Sequence, residues 1–234
     1  MATLISERGV PPWRRRLTLP AYKVGDAARY AGITAKTINN WQEKDDKKSV
    51  IAARDSGESL NYLQLVEVAF VAAMRRAGVT LPAIKNAREY IAQKLGSEFP
   101  FAEQRFKIDG KNLWMQLGAF VPGAAANKLV KVNRGGQLAW AEIVATKFTE
   151  FSYENDIAVQ WHVAGPESPV LIDPRVSFGA PMVGGIATWA IKGRWKAGES
   201  PEDIAEDFSI DVSEVEHALK FEGIDLSTLQ AWSH

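Results

Sequence analysis

The sequence predicts an α+β protein that is mainly helical, and three observations lead to this class. Apolar residues recur at helical spacing over residues 63–74 and 84–91. Apolar residues also alternate with polar ones over residues 157–163, as in a half-buried strand. Residues 188–222 then contain three helical runs separated by short turn signals. We expect helices at both ends of the chain and strands between them.

The composition limits the chemistry that the chain can perform. It has 234 residues, of which 46% are apolar and 24% charged, and it contains no cysteine. The lack of cysteine excludes disulfides, cysteine-ligated metal sites and thiol catalysis. The sequence begins without an apolar segment of secretory length, and no stretch has the length and apolarity of a membrane span. We expect a cytoplasmic protein.

The charge is divided unevenly along the chain. Although the net charge is zero, residues 1–95 contain 16 Lys and Arg against 9 Asp and Glu, and the remainder contains 12 against 19. Residues 199–225 hold ten acidic residues and one basic residue, Lys220. A basic N-terminal half favours binding to a polyanion, whereas phosphate would be repelled by the acidic segment.

The N-terminal half divides into two predicted parts. Residues 1–20 contain prolines and three consecutive arginines and are predicted to be a basic arm with little helix. Residues 21–98 are predicted to be a domain that opens with two short helices separated by Gly32, the second one N-capped by Thr34. Residues 43–59 are polar and suit a wing or loop, and two longer helices follow, up to Gly78 and Gly96.

The C-terminal half is also predicted to have two parts. Residues 99–165 form a small α+β segment with a hairpin at Asp109-Gly110, a helix over 138–151 and the alternating strand. Residues 166–234 contain a short strand, a connector rich in glycine and proline, and three helices. Ser200 and Asp211 are placed to cap the second and third of these helices.

The segment from Tyr22 to Trp41 resembles the helix-turn-helix opening of MerR-type DNA-binding domains, and the following polar stretch resembles its wing. In such a unit the second helix projects from a small apolar core into a major groove. Lys36, Asn39 and Asn40 would face base edges there, and the hydroxyls of Thr34 and Thr37 would face phosphates. The predicted DNA-contacting residues are Arg14, Arg15, Arg16, Arg29, Thr34, Lys36, Thr37, Asn39, Asn40, Lys44, Lys47, Lys48 and Arg54.

The C-terminal part has its own resemblance. Asp173-Pro174-Arg175, the segment from Gly179 to Gly185 and the run from Ala197 to Phe208 are similar to a small module of bacterial antitoxins encoded beside PIN-like ribonuclease toxins. The two ends together resemble a VapB-type antitoxin. The sequence departs from that module at 184–187, where Gly-Gly-Ile-Ala replaces a Gly-Thr-Arg pattern. The resemblance implies an antitoxin that blocks a metal-dependent ribonuclease and represses its own operon.

The acidic helices over residues 200–222 are predicted to form a second unit resembling a helix-turn-helix. Their charge forbids a DNA role and leaves dimerisation or toxin contact, with the chain binding a palindromic operator as a homodimer. Aromatic side chains and cations are the anchors that dominate such interfaces. The predicted toxin-contacting residues are Arg175, Lys192, Arg194, Trp195 and Trp232.

Two other classes of function remain to be weighed. A one-component regulator would bind a small apolar effector among Trp114, Trp140 and Trp161, although such aromatics more often form a core. An enzyme would need a tuned acid-base pair, but His162 and His217 are scattered and no phosphate loop or metal motif is present. We therefore expect no catalysis, no cofactor and no metal. Any one of the basic residues predicted to contact DNA or toxin, taken alone, is most simply a solvated surface charge.

Overall fold

The structure is a computed structural model that describes residues 12–42, 49–55, 57–103 and 146–226. The chain divides into two compact units, and the division falls within a β-hairpin. The first unit holds the described residues up to 148 together with 153–158, and the second holds 149–152 and the residues from 159 onwards. Within these described ranges, no helix is long and apolar enough to cross a lipid bilayer.

The first unit is helical. Its helices are α1 (Pro12–Leu17), α2 (Val24–Ala31), α3 (Ala35–Trp41), α4 (Tyr62–Arg76) and α5 (Leu81–Leu95), and a 3-10 turn (Pro100–Ala102) follows. The predicted arm is wrong in one respect, because residues 12–17 are helical rather than lacking helix. Pro12 suits the first position of a helix, where the missing N–H is not needed, and Leu17 is buried.

Local capping explains why the predicted helices begin and end where they do. The Thr34 hydroxyl accepts a hydrogen bond from the backbone N–H of Thr37 at the start of α3. Asn61 and Gln64 form a reciprocal capping box at the start of α4. Gly32 follows α2 in the left-handed conformation, with φ of 64°. The two short helices and the two longer ones are therefore confirmed.

Strands β1 to β5 form one five-stranded sheet in sequential order: β1 (Phe151–Glu154), β2 (Ile157–His162), β3 (Leu171–Ile172), β4 (Met182–Val183) and β5 (Ile186–Ala187). β2 pairs antiparallel with β3, which places Trp161 opposite Ile172. β3 pairs with β4, and β4 pairs with β5, in the same antiparallel sense. The α+β class is confirmed.

Helices α6 (Thr188–Lys196), α7 (Pro201–Phe208) and α8 (Val212–Phe221) follow the sheet. Ser200 caps α7 by accepting from the backbone N–H of Asp203, and Asp211 forms a capping box with Glu214 at α8. The three helices enclose one apolar core with the preceding strands. Its buried members are Val170, Val183, Ile191, Ile204, Ala205, Val215, Ala218 and Leu219.

The structure corrects one prediction for the middle of the chain and adds a hairpin to another. The helix predicted over 138–151 is wrong at its end, because Phe151 begins strand β1. The connector rich in glycine and proline, in the predicted part 166–234, contains the β4–β5 hairpin, with Val183 opposite Ile186. The hairpin at Asp109-Gly110 and most of the predicted helix lie outside the described residues.

The β4–β5 hairpin depends on Gly184. Both turn residues have positive φ, 53° at Gly184 and 82° at Gly185, as a two-residue turn of this kind requires. A Cβ on Gly184 would lie 2.4 Å from Cγ2 of Ile210, in the turn between α7 and α8. Gly184 therefore allows the hairpin to approach the helices closely.

Replacing Gly184 by Ala should destabilise the chain by about 2–4 kcal/mol, because it adds a clash to an unfavourable φ. The matched control is Gly193→Ala, where an added Cβ meets nothing within 4 Å. Since Gly193 lies inside α6, that change should be neutral or should stabilise the chain by up to about 1 kcal/mol. Urea denaturation followed by circular dichroism compares the two, and equal midpoints would contradict the packing argument.

Candidate functional site

Helix α3 has one buried and one exposed face. Ile38 and Trp41 are buried, at 0% and 4% exposure. Lys36, Asn39 and Asn40 are exposed, as the spacing of these residues along a helix predicts. The face that the sequence assigns to base edges is therefore available to a ligand.

The hydroxyls at the start of α3 are engaged with each other. The Oγ1 atoms of Thr34 and Thr37 lie 2.9 Å apart, and Thr34 Oγ1 also caps the helix. Both residues were predicted to contact phosphates. In the structure the Thr34 hydroxyl satisfies a backbone N–H at the helix terminus, and the Thr37 hydroxyl is bonded to it.

The segment that follows α3 is tied back to it. The N–H of Val50 donates to the carbonyl of Trp41 over 3.0 Å. The side-chain amide of Gln42 donates to the carbonyl of Ala52 over 3.1 Å. Residues 49–55 contain no helix or strand, so these bonds hold the predicted wing segment against the end of α3.

A buried carboxylate anchors the same segment from the other side. Glu67 on α4 is fully buried, and its Oε2 accepts from the N–H of Ala52 over 2.6 Å. Arg88 on α5 donates to both carboxylate oxygens over 3.1 and 3.2 Å. Burial raises the pKa of Glu67, and the Arg88 guanidinium and the Ala52 N–H oppose that rise. One side chain thus joins α4, α5 and the segment.

Arg54 connects this segment to the exposed face of α3. Its Nη2 donates to Oδ1 of Asn39 over 2.7 Å, and its Nε donates to Oε1 of Gln42. Its Nη1 donates to the carbonyl of Glu58. Partial burial lowers the pKa of Arg54. The sequence predicts Arg54 as a DNA contact, whereas the structure gives its guanidinium three partners within the protein.

The remaining predicted DNA contacts of the first unit differ in their surroundings. The guanidinium of Arg14 lies 5.9 Å from the ring centroid of Trp13 and donates to the carbonyl of Asn155. Arg29 lies over the ring of Tyr30 at 4.9 Å. Arg15 and Arg16 are exposed on α1. Lys44, Lys47 and Lys48 lie outside the described residues.

In the second unit the cations predicted to contact a toxin are all paired with acids. Arg175 forms an ion pair with Asp173, and Lys192 pairs with Glu222. Arg194 contacts two carboxylates and lies 5.1 Å from the ring centroid of Phe208. Trp195 packs against the core, and Trp232 lies outside the described residues.

The Asp-Pro-Arg motif has a structural role in this arrangement. The carboxylate of Asp173 accepts hydrogen bonds from Arg175 and from the side-chain amide of Gln160 on β2. Burial acts to raise the pKa of Asp173, but these hydrogen bonds outweigh it and lower the pKa. The motif joins the end of β3 to its neighbouring strand.

Aromatic side chains are exposed beside this motif. Phe178 is 92% exposed, and Trp189 in the first turn of α6 is 66% exposed. The backbone at Ser177 and Phe178 has φ of 46° and 53°, a conformation that side-chain-bearing residues rarely adopt. The N–H of Thr188 donates to the carbonyl of Pro181, which brings the segment after Phe178 alongside the start of α6. Sequence reasoning missed Phe178, because a single aromatic in a loop gives no periodic signal.

The residues considered for the other two functions have local partners. Nδ1 of His162 bonds the carbonyl of Ser168, and Nδ1 of His217 bonds that of Ser213. Trp161 is buried, stacks on Phe151 and donates to Glu150 over 3.0 Å. Trp114 and Trp140 lie outside the described residues. In the part that is described, no group of three or more His, Asp or Glu side chains is placed to hold a metal ion.

Comparisons with known proteins give a family model, a relative and a solved structure that are similar to this chain. Residues 170–221 match the model of a family described as "Protein of unknown function (DUF433)". The chain is 23% identical over 227 residues to "Putative antitoxin VapB45" of Mycobacterium tuberculosis, covering 87% of this chain and 94% of that protein. The crystal structure of Rv2018 from Mycobacterium tuberculosis matches with a TM-score of 0.70 and 20% identity, covering 87% of this chain and 99% of the other. The chain therefore shares the fold of Rv2018 and is similar to a protein named as an antitoxin.

Replacing Glu67 by Gln should destabilise the chain by about 2–4 kcal/mol, because Arg88, whose side chain is 14% exposed, would lose its counter-charge. The control is Glu89→Gln, which removes a surface pair with Lys85 and should cost less than about 0.5 kcal/mol. Urea denaturation measures both. A Glu67→Gln variant as stable as the control variant would show that the buried pair does not anchor the segment.

Proposed function

We propose that the protein is an antitoxin of a type II toxin–antitoxin system, which binds a PIN-like ribonuclease toxin and represses its own operon by binding operator DNA. The observation that carries the proposal is that the two units expose side chains of different chemical type. Amide and ammonium groups face outward on α3, whereas carboxylates and bare aromatic rings face outward on the second unit. The similarity to a protein named as an antitoxin supports this division of roles.

The first surface suits DNA. Lys36, Asn39 and Asn40 share an exposed face of a short helix that is fixed by its own cap and by the segment after it. Amide side chains recognise base edges through paired donors and acceptors, and lysine contacts guanine or phosphate. The arginines of α1 and Arg29 add positive charge from the same unit. We infer that α3 enters the major groove.

The second surface suits a basic protein. Glu202, Asp203 and Glu206 are exposed on α7 and Glu216 is exposed on α8, whereas the exposed Asp207 is bonded to Arg194. A ribonuclease holds RNA phosphates with lysine and arginine, so its substrate surface is positive and complements these carboxylates. Phe178 and Trp189 supply the aromatic anchors that dominate protein interfaces. We infer that the toxin docks on this unit, with the ion-paired Arg175, Lys192 and Arg194 at its margin.

Replacing Lys36, Asn39 and Asn40 together by Ala should abolish specific binding to DNA from the protein's own upstream region. These exposed side chains make no core contact, so circular dichroism should be unchanged. Gel shifts against specific and scrambled duplexes make the comparison. The control is Lys85, Glu89 and Gln93 to Ala on α5, which should leave the shift intact. If the α3 variant still shifts the specific duplex as the natural protein does, α3 is not the recognition helix.

Replacing Phe178 by Asn and Trp189 by Gln should weaken toxin binding by about 30-fold or more, the effect of losing interface hot spots. Asn tolerates the left-handed backbone at position 178, so the loop should keep its conformation. The probe is the PIN-like nuclease that the proposed function requires beside this gene, and calorimetry measures its Kd. Leu19→Gln, which replaces an exposed apolar residue of the first unit, is the control. Equal Kd for the double variant and the natural protein would place the toxin elsewhere.

A further inference from the structure

We propose that Arg54 is a specificity-determining positioning residue, which occupies one lone pair of the Asn39 oxygen and fixes the amide so that its two N–H donors dominate what it offers to a DNA base. The inference rests on the DNA-binding half of the proposed function. It differs from the sequence prediction, in which Arg54 contacts DNA directly.

The chemistry of arginine fixes the orientation of the Asn39 amide. A guanidinium has donors and no acceptor, so the atom of Asn39 that lies 2.7 Å from Nη2 of Arg54 must be the carbonyl oxygen. The NH2 group of Asn39 therefore lies on the other branch of the amide. Because Asn39 is exposed, both donors of that group are left for a ligand, while the oxygen keeps one of its two lone pairs.

The guanidinium itself is held firmly. Besides Asn39, it donates to Oε1 of Gln42 through Nε and to the carbonyl of Glu58 through Nη1. Gln42 in turn donates to the carbonyl of Ala52, whose N–H is bound by the buried Glu67. A planar guanidinium that makes three hydrogen bonds has one orientation, and its bond to Oδ1 therefore fixes the orientation of the Asn39 amide.

The consequence concerns base choice. An asparagine recognises adenine by accepting from N6 and donating to N7, which requires both its oxygen and its NH2 group. With one lone pair of its oxygen taken by Arg54 and its orientation fixed, Asn39 has two free N–H donors and a weakened acceptor. This balance favours acceptor edges, of which guanine N7 and O6 form the richest pair. The side chain of Asn40 makes no hydrogen bond within the described residues, so its amide keeps the donor and acceptor that adenine needs. Neighbouring asparagines on α3 thus read different bases.

The discriminating variant is Arg54→Lys. Lysine keeps the positive charge, so a phosphate contact would survive, but it lacks the planar fork that binds Asn39 and Gln42 together. Selection from a pool of randomised duplexes with the full chain, followed by Kd measurement on single-base variants, gives the preference at each position. We expect the ratio of guanine to adenine preference at one base pair to fall by about fivefold or more, a typical size for one amide contact. The matched control is Arg75→Lys on α4, where the guanidinium of Arg75 donates to the carbonyl of Val79. The DNA sequence that this variant selects should equal the one that the natural protein selects.

The second variant is Asn39→Ala, alone and combined with Arg54→Lys. Because Arg54 acts through Asn39, the double variant should show the same base preference as Asn39→Ala alone. A preference unchanged by Arg54→Lys, or a change that persists without Asn39, overturns the inference while leaving the proposed function in place. If the natural protein selects no sequence at all, the DNA half of the proposed function fails, and the inference fails with it.

Discussion

The first unit depends on one buried carboxylate. Glu67 has no access to solvent, so its charge is tolerable only where donors surround it, and Arg88 and the N–H of Ala52 supply them. This requirement fixes α5 against α4 and holds the segment at residues 49–55 against both. Because that segment presents Arg54 to Asn39, a constraint in the core determines the chemistry on the surface of α3.

In the second unit, ion pairs between basic and acidic side chains determine which charges face solvent. Arg175, Lys192 and Arg194 each neutralise an acid of their own chain. Arg194 also pairs with Asp207 of α7, whereas among the described residues no cation pairs with Glu202, Asp203 or Glu206 of that helix. The surface of α7 therefore stays acidic. Phe178 adds an apolar group that is held outward by a strained backbone. Strain of this kind persists only where the surrounding structure enforces it, and it is concentrated at functional sites.

Local signals were sufficient to predict much of the fold. Thr34, Asn61 and Ser200 cap helices through bonds that span three residues, so the sequence contains the whole motif. The exposed face of α3 follows from spacing alone. In contrast, Glu67 and Ala52 are 15 residues apart. Nothing in a single sequence indicates that the acid within this apolar helix accepts a hydrogen bond from a distant backbone N–H. The β4–β5 hairpin was missed because strands of two residues give no periodic signal.

The roles of the basic residues also could not be predicted from the sequence alone. A sequence shows that a residue is basic, but the free energy that its charge contributes to binding depends on whether a partner already satisfies it. Arg54 and Arg194 are equally basic by composition, yet one orients an amide and the other joins two carboxylates. The count of Lys and Arg in the first half therefore sets an upper bound on the number of cationic side chains that can reach a phosphate. In the proposed complex with DNA, the dependence of Kd on salt would report how many of those cations reach a phosphate, because each phosphate contact releases counterions.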